Sequence, residues 1–487
     1  MIDPTLAERT CYLDGTWAVG DGAAFISVEP GTGAELATWR LASVDQADRA
    51  VAAARRTFDD GVWRRRPPAE RAAVLRRLAD LIEREHEQLA QLVVAEVGSP
   101  ISLARTLQTA TPAVNFRWAA DMAERGPRGG YEEVLPPQAG ALRSESVLLR
   151  EPIGVVTAIT PYNYPINMIS WKVAPALAAG CSVVLMPSPR GALCSVAFLQ
   201  LAEEAGIPPG VLNLVPGDPA VGERLCAHPD VDMVTFTGSN AVGAAVMTAA
   251  APTAKKVVLE LGGKSPTLIL PGANLDRAVT PSILRFCRNA GQGCGATTRI
   301  LVHRDDADDF LQRAREVLAA LPVGDPHAEA TEVGPLITAE HRERVEGYLA
   351  RAVDKGATVL AGGGRPAGLD GFFLEPTLVG DVHPEDEIAQ DELFAPVAAV
   401  FVYDTVDEAV AIANNSRYGL NALVWGDPDD ARAVADRLRT GTVAVNGGGG
   451  SRPDVPWAGA KQSGVGMDMG EDGFGEFFSV KHVQWPA

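Results

Sequence analysis

From Val147 to Glu260 short apolar runs alternate with longer stretches whose apolar residues recur every three or four positions. The runs Gly154 to Ile159, Ser182 to Met186, Val211 to Val215, Met233 to Phe236 and Lys256 to Glu260 predict strands. Helices fit between them at 165–179, 190–205, 218–227 and 239–250. Strand–helix alternation of this kind predicts a parallel, doubly wound α/β sheet covered on both faces, with ligands at the carboxyl ends of its strands. Beyond Glu260 the alternation resumes, with a strand near 266–270, a helix at 274–289, a strand at 299–303 and helices at 305–320 and 339–354. That is enough chain for a second α/β domain reaching about residue 440.

Upstream, residues 1–42 read as short strands and turns, and Ser43-Val44-Asp45-Gln46 has the form of a capping box opening a helix. After Pro67-Pro68 a long helix is predicted, with Leu75, Leu78, Ile82, Leu89 and Val93 on one stripe, ending near Gly98. Another helix is expected over 101–124. Residues 126–146 are bracketed by Gly129-Gly130 and Pro136-Pro137 and read as a protruding arm. The tail from 470, with Phe477, Phe478, Val480, Val483 and Trp485, reads as a strand that needs a partner elsewhere.

The chain has 487 residues and a net charge of −19, which argues against nucleic acid or an anionic membrane as partner. It does not argue against a dinucleotide, because local backbone donors hold phosphates. Six cysteines without a CxxC pair fit reduced thiols and a cytoplasmic location. The N-terminus lacks the apolar core of a signal peptide, and the run Val173 to Pro187 is too short to span a membrane. Seven scattered histidines suggest no metal site.

Chemistry concentrates in a few loops. Cys294 stands between Gly293 and Gly295, which leave its sulfur open to a substrate. Glu260 ends an apolar run and precedes Gly262-Gly263. A thiol nucleophile with a poised carboxylate suggests covalent catalysis followed by base-assisted hydrolysis, against the bland alternative of an ordinary buried cysteine. Phe236-Thr237-Gly238-Ser239 ends a strand and starts a helix, a usable diphosphate seat although the spacing is not GxGxxG. In Thr160-Pro161-Tyr162-Asn163-Tyr164-Pro165 the Asn163 amide is either a turn asparagine or a donor to developing negative charge.

Taken together with Glu260-Leu261-Gly262-Gly263-Lys264, Gly291-Gln292-Gly293-Cys294, Glu392-Leu393-Phe394 and Lys461-Gln462-Ser463-Gly464, these motifs resemble the aldehyde dehydrogenase superfamily in order and spacing. The resemblance runs from about residue 12 to the C-terminus. It implies two Rossmann-like domains and a small β arm: a cofactor-binding domain from 1–125 and 147–260, a catalytic domain over 261–440, a return segment 441–469 lining the substrate entrance, and an oligomerisation arm from 126–146 and 470–487. By the same resemblance Cys294 is the nucleophile, Glu260 the base for deacylation, and Asn163 part of the oxyanion hole. Lys172 matches a lysine linked to proton relay, and Lys264 with Glu476 matches structural or relay positions. Thr160, Pro161, Tyr162, Met186, Ser188, Arg190, Phe236, Thr237, Gly238, Ser239, Leu261, Gly262, Glu392 and Phe394 fall at cofactor positions. Met168, Trp171, Arg288, Ser451 and Trp457 fall along the substrate tunnel.

What this implies is NAD(P)-dependent oxidation of an aldehyde to an acid through a Cys294 thiohemiacetal and a hydrolysed thioester, in a homo-oligomer, dimer or tetramer. The alternatives are a CoA-acylating dehydrogenase, which usually lacks the Glu260 base, and a non-catalytic binding protein of the same fold. Met186 stands where the family usually has lysine and Pro189 where it often has glutamate, groups that hold the adenosine ribose. NAD is the expected cofactor, with NADP not excluded because Arg190 could meet a 2′-phosphate. Arg288 replaces a usually aromatic or apolar residue and hints at a polar or carboxylated aldehyde, against a solvated arginine at the tunnel mouth.

Overall fold

The computed structural model describes residues 4–138, 143–448 and 452–486. The first sheet has eight strands in the spatial order Thr16–Ala18, Cys11–Leu13, Leu212–Leu214, Ser182–Pro187, Val155–Thr160, Met233–Thr237, Lys256–Glu260 and Gly464–Val465. The five strands from Leu212–Leu214 to Lys256–Glu260 run parallel, and the pairings at both edges are antiparallel. Side chains alternate between two apolar layers, as strand geometry requires. Val156, Ala158, Val183 and Leu185 pack with the helices Pro165–Ala179 and Ala192–Glu204. Val155, Val184 and Met186 pack on the other side with Val44–Asp60 and Pro219–Ala227.

Local rules account for most element ends. The capping box forms as expected: the Ser43 hydroxyl accepts from the Gln46 N–H, and Gln46 Oε1 accepts from the Ser43 N–H. The long helix expected after Pro67-Pro68 is instead two, Pro68–Arg84 and His86–Val97, broken at Glu85, whose φ of −94° and ψ of 14° leave the helical range. The helix expected over 101–124 carries a π-helical turn, Ala104–Thr109, before Ala110–Arg125. There the Thr109 hydroxyl donates to the Ala104 carbonyl at 3.0 Å, five residues back, a wider loop that three- and four-residue spacing does not reveal.

The second sheet orders Thr358–Ala361, Thr377–Gly380, Val397–Tyr403, Arg299–His303, Pro266–Ile269, Asn421–Trp425 and Thr442–Val445. Only its first pairing is antiparallel. Thr442–Val445 carries this sheet beyond residue 440, and Gly464–Val465 then returns to the first sheet, so the stretch 441–469 gives a strand to each. A third, three-stranded sheet joins Glu132–Gln138, Ser144–Pro152 and Phe478–Pro486. The tail finds its partner in Ser144–Pro152, a strand that continues past residue 146, with Trp485 opposite Glu145. No helix among the described residues is long and apolar enough to cross a membrane.

One buried contact ties two helices together. Glu96, on His86–Val97, accepts the backbone N–H groups of Leu193 at 2.7 Å and Cys194 at 2.8 Å, donors that the first turn of Ala192–Glu204 leaves free. Burial, opposed by these hydrogen bonds, pushes the Glu96 carboxyl up to about 7 from 4.5. Because the folded value is raised, this group's contribution to stability is complete below pH 4.5 and is lost as pH rises through about 7. Glu96→Ala is expected to cost about 1–3 kcal/mol for each orphaned N–H. Urea unfolding at several pH values should show that cost, with a shallower decline toward neutral pH than in the parent.

Candidate active site

The carboxyl ends of the first sheet's parallel strands face the amino ends of the second sheet's strands. Thr160, Thr237 and Glu260 each close a strand of the first sheet. Cys294, Glu392 and Phe394 lie in the loops that lead into Arg299–His303 and Val397–Tyr403. The site therefore spans both sheets.

Cys294 is placed by a strained turn. After the helix Leu275–Cys287, Asn289, Ala290 and Gly291 all take left-handed backbone, with φ of 54°, 54° and 71°. A Cβ on Gly291 would stand 2.1 Å from the Ala395 carbonyl carbon, so only glycine fits. Side chains hold the rest. Asn289 Nδ2 donates to the Asn163 carbonyl at 3.0 Å, and Asn163 Nδ2 donates to the Gln292 carbonyl at 2.9 Å. Gln292 Nε2 donates to the carbonyls of Asn289 and Pro335, while its Oε1 accepts the Ile337 N–H at 3.0 Å. The turn after Glu260 packs against the Cys294 backbone: a Cβ on Gly263 would lie 2.5 Å from the Cys294 carbonyl oxygen. Asn421 Nδ2 donates to the Gly295 carbonyl at 2.9 Å.

Cys294 is half-buried, and the other five cysteines are fully buried. Burial first, then the Glu392 and Glu260 carboxyls, push its thiol up to about 12. Glu260 is 2% exposed, and neither carboxyl oxygen has a hydrogen-bond partner among the described residues. Burial raises that carboxyl well above its ordinary value, the Asp468 charge adds to the effect, and Lys172 opposes it. Lys172 is fully buried and donates to Asp468 Oδ2 at 2.8 Å and Thr235 Oγ1 at 2.9 Å. Glu392 accepts the Gly263 N–H at 3.1 Å, and burial pushes it up to about 7.

A cavity of about 920 Å³ runs through the site. Pro161, Tyr162, Thr237, Gly238, Ser239, Leu261, Gly262, Glu392 and Phe394 line one side, and Met168, Trp171, Arg288 and Trp457 the other, with Asn163 and Cys294 between. Five expected cofactor positions do not line it. Met186 packs in the apolar layer with Val221 and Leu225, and Phe236 lies beneath Gly238, whose added Cβ would meet the ring at 2.4 Å. Thr160 is buried with its hydroxyl unpartnered. Ser188 accepts the Arg190 N–H at the turn Pro189–Gly191. The Arg190 side chain is exposed and makes no ion pair or side-chain hydrogen bond among the described residues. Ser451 lies outside the described residues.

The structure brings together residues that the sequence did not single out. Asp468 is the carboxylate beside Lys172, while Glu476, which the resemblance groups with Lys264, pairs with Lys256 at 2.6 Å. Asp468 stands between two methionines, with no spacing to advertise it. The anchoring side chains of Asn289 and Gln292, and Arg285 on the cavity wall, were also unforeseen. Among the described residues no His, Cys, Asp or Glu cluster is arranged to hold a metal.

Comparison with known proteins agrees with this geometry. The model of the aldehyde dehydrogenase family matches residues 17–483. Betaine aldehyde dehydrogenase of Bacillus subtilis is 38% identical over 98% of this chain and 97% of its own. A 3-succinoylsemialdehyde-pyridine dehydrogenase of a Pseudomonas species is 40% identical over 98% of each. Among solved structures, aldehyde dehydrogenase C of Pseudomonas syringae, a mutant complexed with NAD+ and octanal, superposes with a TM-score of 0.93 at 40% identity, covering 99% of this chain and 98% of that one. With a match over nearly its whole length, the chain belongs to the aldehyde dehydrogenase family.

Proposed function

We propose that this protein oxidises an aldehyde to a carboxylic acid with NAD(P) as oxidant, through a covalent adduct on Cys294. The observation that carries the reading is the contact of the Glu260 turn with the Cys294 backbone, which brings the one half-exposed thiol beside a carboxyl with two unpartnered oxygens. Attack by the Cys294 sulfur on the carbonyl gives a thiohemiacetal, whose oxyanion the Asn163 amide and the Cys294 backbone N–H are suited to receive. Asn163 reaches that role by giving up its present contact with the Gln292 carbonyl, or by sharing it. With the hydride of that carbon passed to a bound nicotinamide, the adduct would be a thioester; Glu260 then takes a proton from water, whose oxygen attacks the thioester carbon, and the Cys294 sulfur leaves and recovers a proton as the acid is released. The Lys172–Asp468 pair, buried behind Glu260, sets the charge that the base feels.

The residues present fit a dinucleotide. Ser239, Asn240 and Ala241 put the first turn of the helix Asn240–Ala250 on the cavity wall, an anion seat, and the buried Thr237 hydroxyl nearby has no partner. Gly262 leaves room where a Cβ would meet Glu392 Oε2 at 2.3 Å. Ser239, Glu392 and Phe394 would hold the cofactor's phosphate and ribose groups. A bound nicotinamide supplies the acceptor for the hydride of the aldehyde carbon.

Glu260→Gln tests the sequence of steps. The expected result is one equivalent of reduced cofactor per site, then a stall, with an acyl group on Cys294 detected by mass spectrometry. Undiminished steady turnover would count against hydrolysis by Glu260, and turnover that requires CoA would favour the acylating alternative.

Acidity gives a second check. Glu260 is raised and the Cys294 thiol is pushed up to about 12, and both must lose a proton to act. The rate is therefore expected to keep rising above about pH 7, as for any base titrating high. A profile flat from mildly acidic pH upward would contradict the assignment.

Cofactor choice follows from the ribose side. Met186 and Pro189 offer no polar side chain there, and Met186 is committed to the core. NAD is expected as the main cofactor, with a high KM and detectable NADP use. An exposed Arg190 is worth about 1 kcal/mol or less to a 2′-phosphate, so Arg190→Ala should move the NAD:NADP ratio of kcat/KM by no more than about fivefold. A strong NADP preference that collapses in the variant would overturn this account.

A further inference from the structure

Arg285, half-buried, and Arg288, exposed, line the same cavity as Met168 and the contacting rings of Trp171 and Trp457. They stand three residues apart, at the end of Leu275–Cys287 and just past it. Neither makes an ion pair or a hydrogen bond among the described residues. Other arginines on the cavity wall are partnered: Arg344 donates to the Leu393 carbonyl at 2.7 Å, Arg417 pairs with Asp391 at 2.8 Å, and Arg452 pairs with Asp454 at 2.6 Å. The carboxylates among the described wall residues, Asp391 and Glu392, belong to the loop on the cofactor side. Among the described residues, these two positive charges have no carboxylate partner.

Such an arrangement is costly. Burial, and then the neighbouring Arg288 charge, pull Arg285 below the ordinary guanidinium range. Arg285 is half-buried while Arg288 is exposed, so the repulsion weighs mainly on Arg285 and is relieved when something negative joins the pair. The pair also lies within reach of the chemistry. Tyr164, whose hydroxyl is 3.5 Å from where a Cβ on Gly293 would stand, feels the charges of Arg288, Cys294 and Arg285 together.

We propose that Arg285 and Arg288 form an anion subsite in the tunnel, so that the preferred substrates are aldehydes bearing a carboxylate at the end away from the reacting carbonyl. This rests on the reading of Cys294 as nucleophile. A guanidinium fork matches a carboxylate with two parallel hydrogen bonds, and a low-dielectric wall strengthens them. The carboxylate neutralises the pair as it enters, and a cationic aldehyde meets its repulsion.

The test measures kcat/KM with saturating NAD for ω-carboxylated aldehydes of increasing length, for their methyl esters, and for ω-amino aldehydes. The ester matches the acid in shape without its charge and serves as internal reference for any general loss. In the parent the acid is expected to exceed its ester, and the amine to rank last. Arg285→Gln should lower the acid-to-ester ratio roughly tenfold or more, mainly through KM, as loss of a charge-assisted hydrogen bond predicts, and Arg288→Gln, at an exposed position, by up to about fivefold. Arg285→Lys, which keeps the charge and the fold, should retain part of the preference. A parent ratio near one, or a ratio unmoved in the double variant, overturns the subsite while oxidation of the esters leaves the dehydrogenase reading standing. Failure of every aldehyde in the parent would instead sink the dehydrogenase reading, and the subsite with it.

Discussion

The site depends on a reciprocal pair of hydrogen bonds between two loops that start from different sheets. Asn289 donates to the carbonyl of Asn163, and Asn163 donates to the carbonyl of Gln292. One partner follows a strand of the first sheet, and the other precedes a strand of the second. Three consecutive left-handed residues, two of them not glycine, are unfavourable on their own, of order 1–3 kcal/mol for each non-glycine residue. They persist because Gln292 is bonded on both ends of its amide and Gly291 is wedged against Ala395. Strain is thus spent to point one thiol into a cavity, and the same bonds keep the two sheets in register at that point.

A second constraint is the concentration of carboxyls in a nearly dry place. Glu260, Asp468 and Glu392 are near Cys294 or one another, and Lys172 is the buried cation between Asp468 and Thr235. Burial raises Glu260 and Glu392, which disfavours the charged form of both carboxyls. A carboxyl without hydrogen bonds is normally a defect in a protein interior. Here it stands just behind the cavity wall, next to the lining residues Leu261 and Gly262, and a carboxyl raised by burial in such a place is of the kind found at functional sites.

Much of the fold was legible because local signals agreed. The parallel strands are mostly apolar, the helices between them are bounded by glycine, proline and capping residues, and the predicted bounds 165–179 and 339–354 coincide with Pro165–Ala179 and Ala339–Asp354. What escaped was set by contacts far apart in sequence. Nothing local says that Gly464–Val465 returns to the first sheet's edge, or that Thr442–Val445 extends the second. The break at Glu85 and the wide turn at Ala104–Thr109 preserve the apolar stripe that was read as one helix. The motifs brought Cys294, Glu260 and Asn163 into view because glycines and prolines mark their loops. Asp468 and Arg285 carry no such marks, since their placement depends on which helix end or strand turn lies opposite.

The net charge of −19 and two tunnel arginines without an ion-pair partner among the described residues act over different distances. Surface charges are screened beyond about 8 Å at physiological ionic strength, so the acidic exterior adds little field inside the cavity. Within it the dielectric is low, and a pair of nearby guanidiniums dominates what a substrate feels. Family membership speaks to the reaction class, because the residues around Cys294 carry that chemistry, but a shared fold leaves the far wall of the tunnel free to vary. The sign of charge on that wall is the feature proposed to select among aldehydes, and it comes from two side chains at a helix end rather than from the composition of the whole.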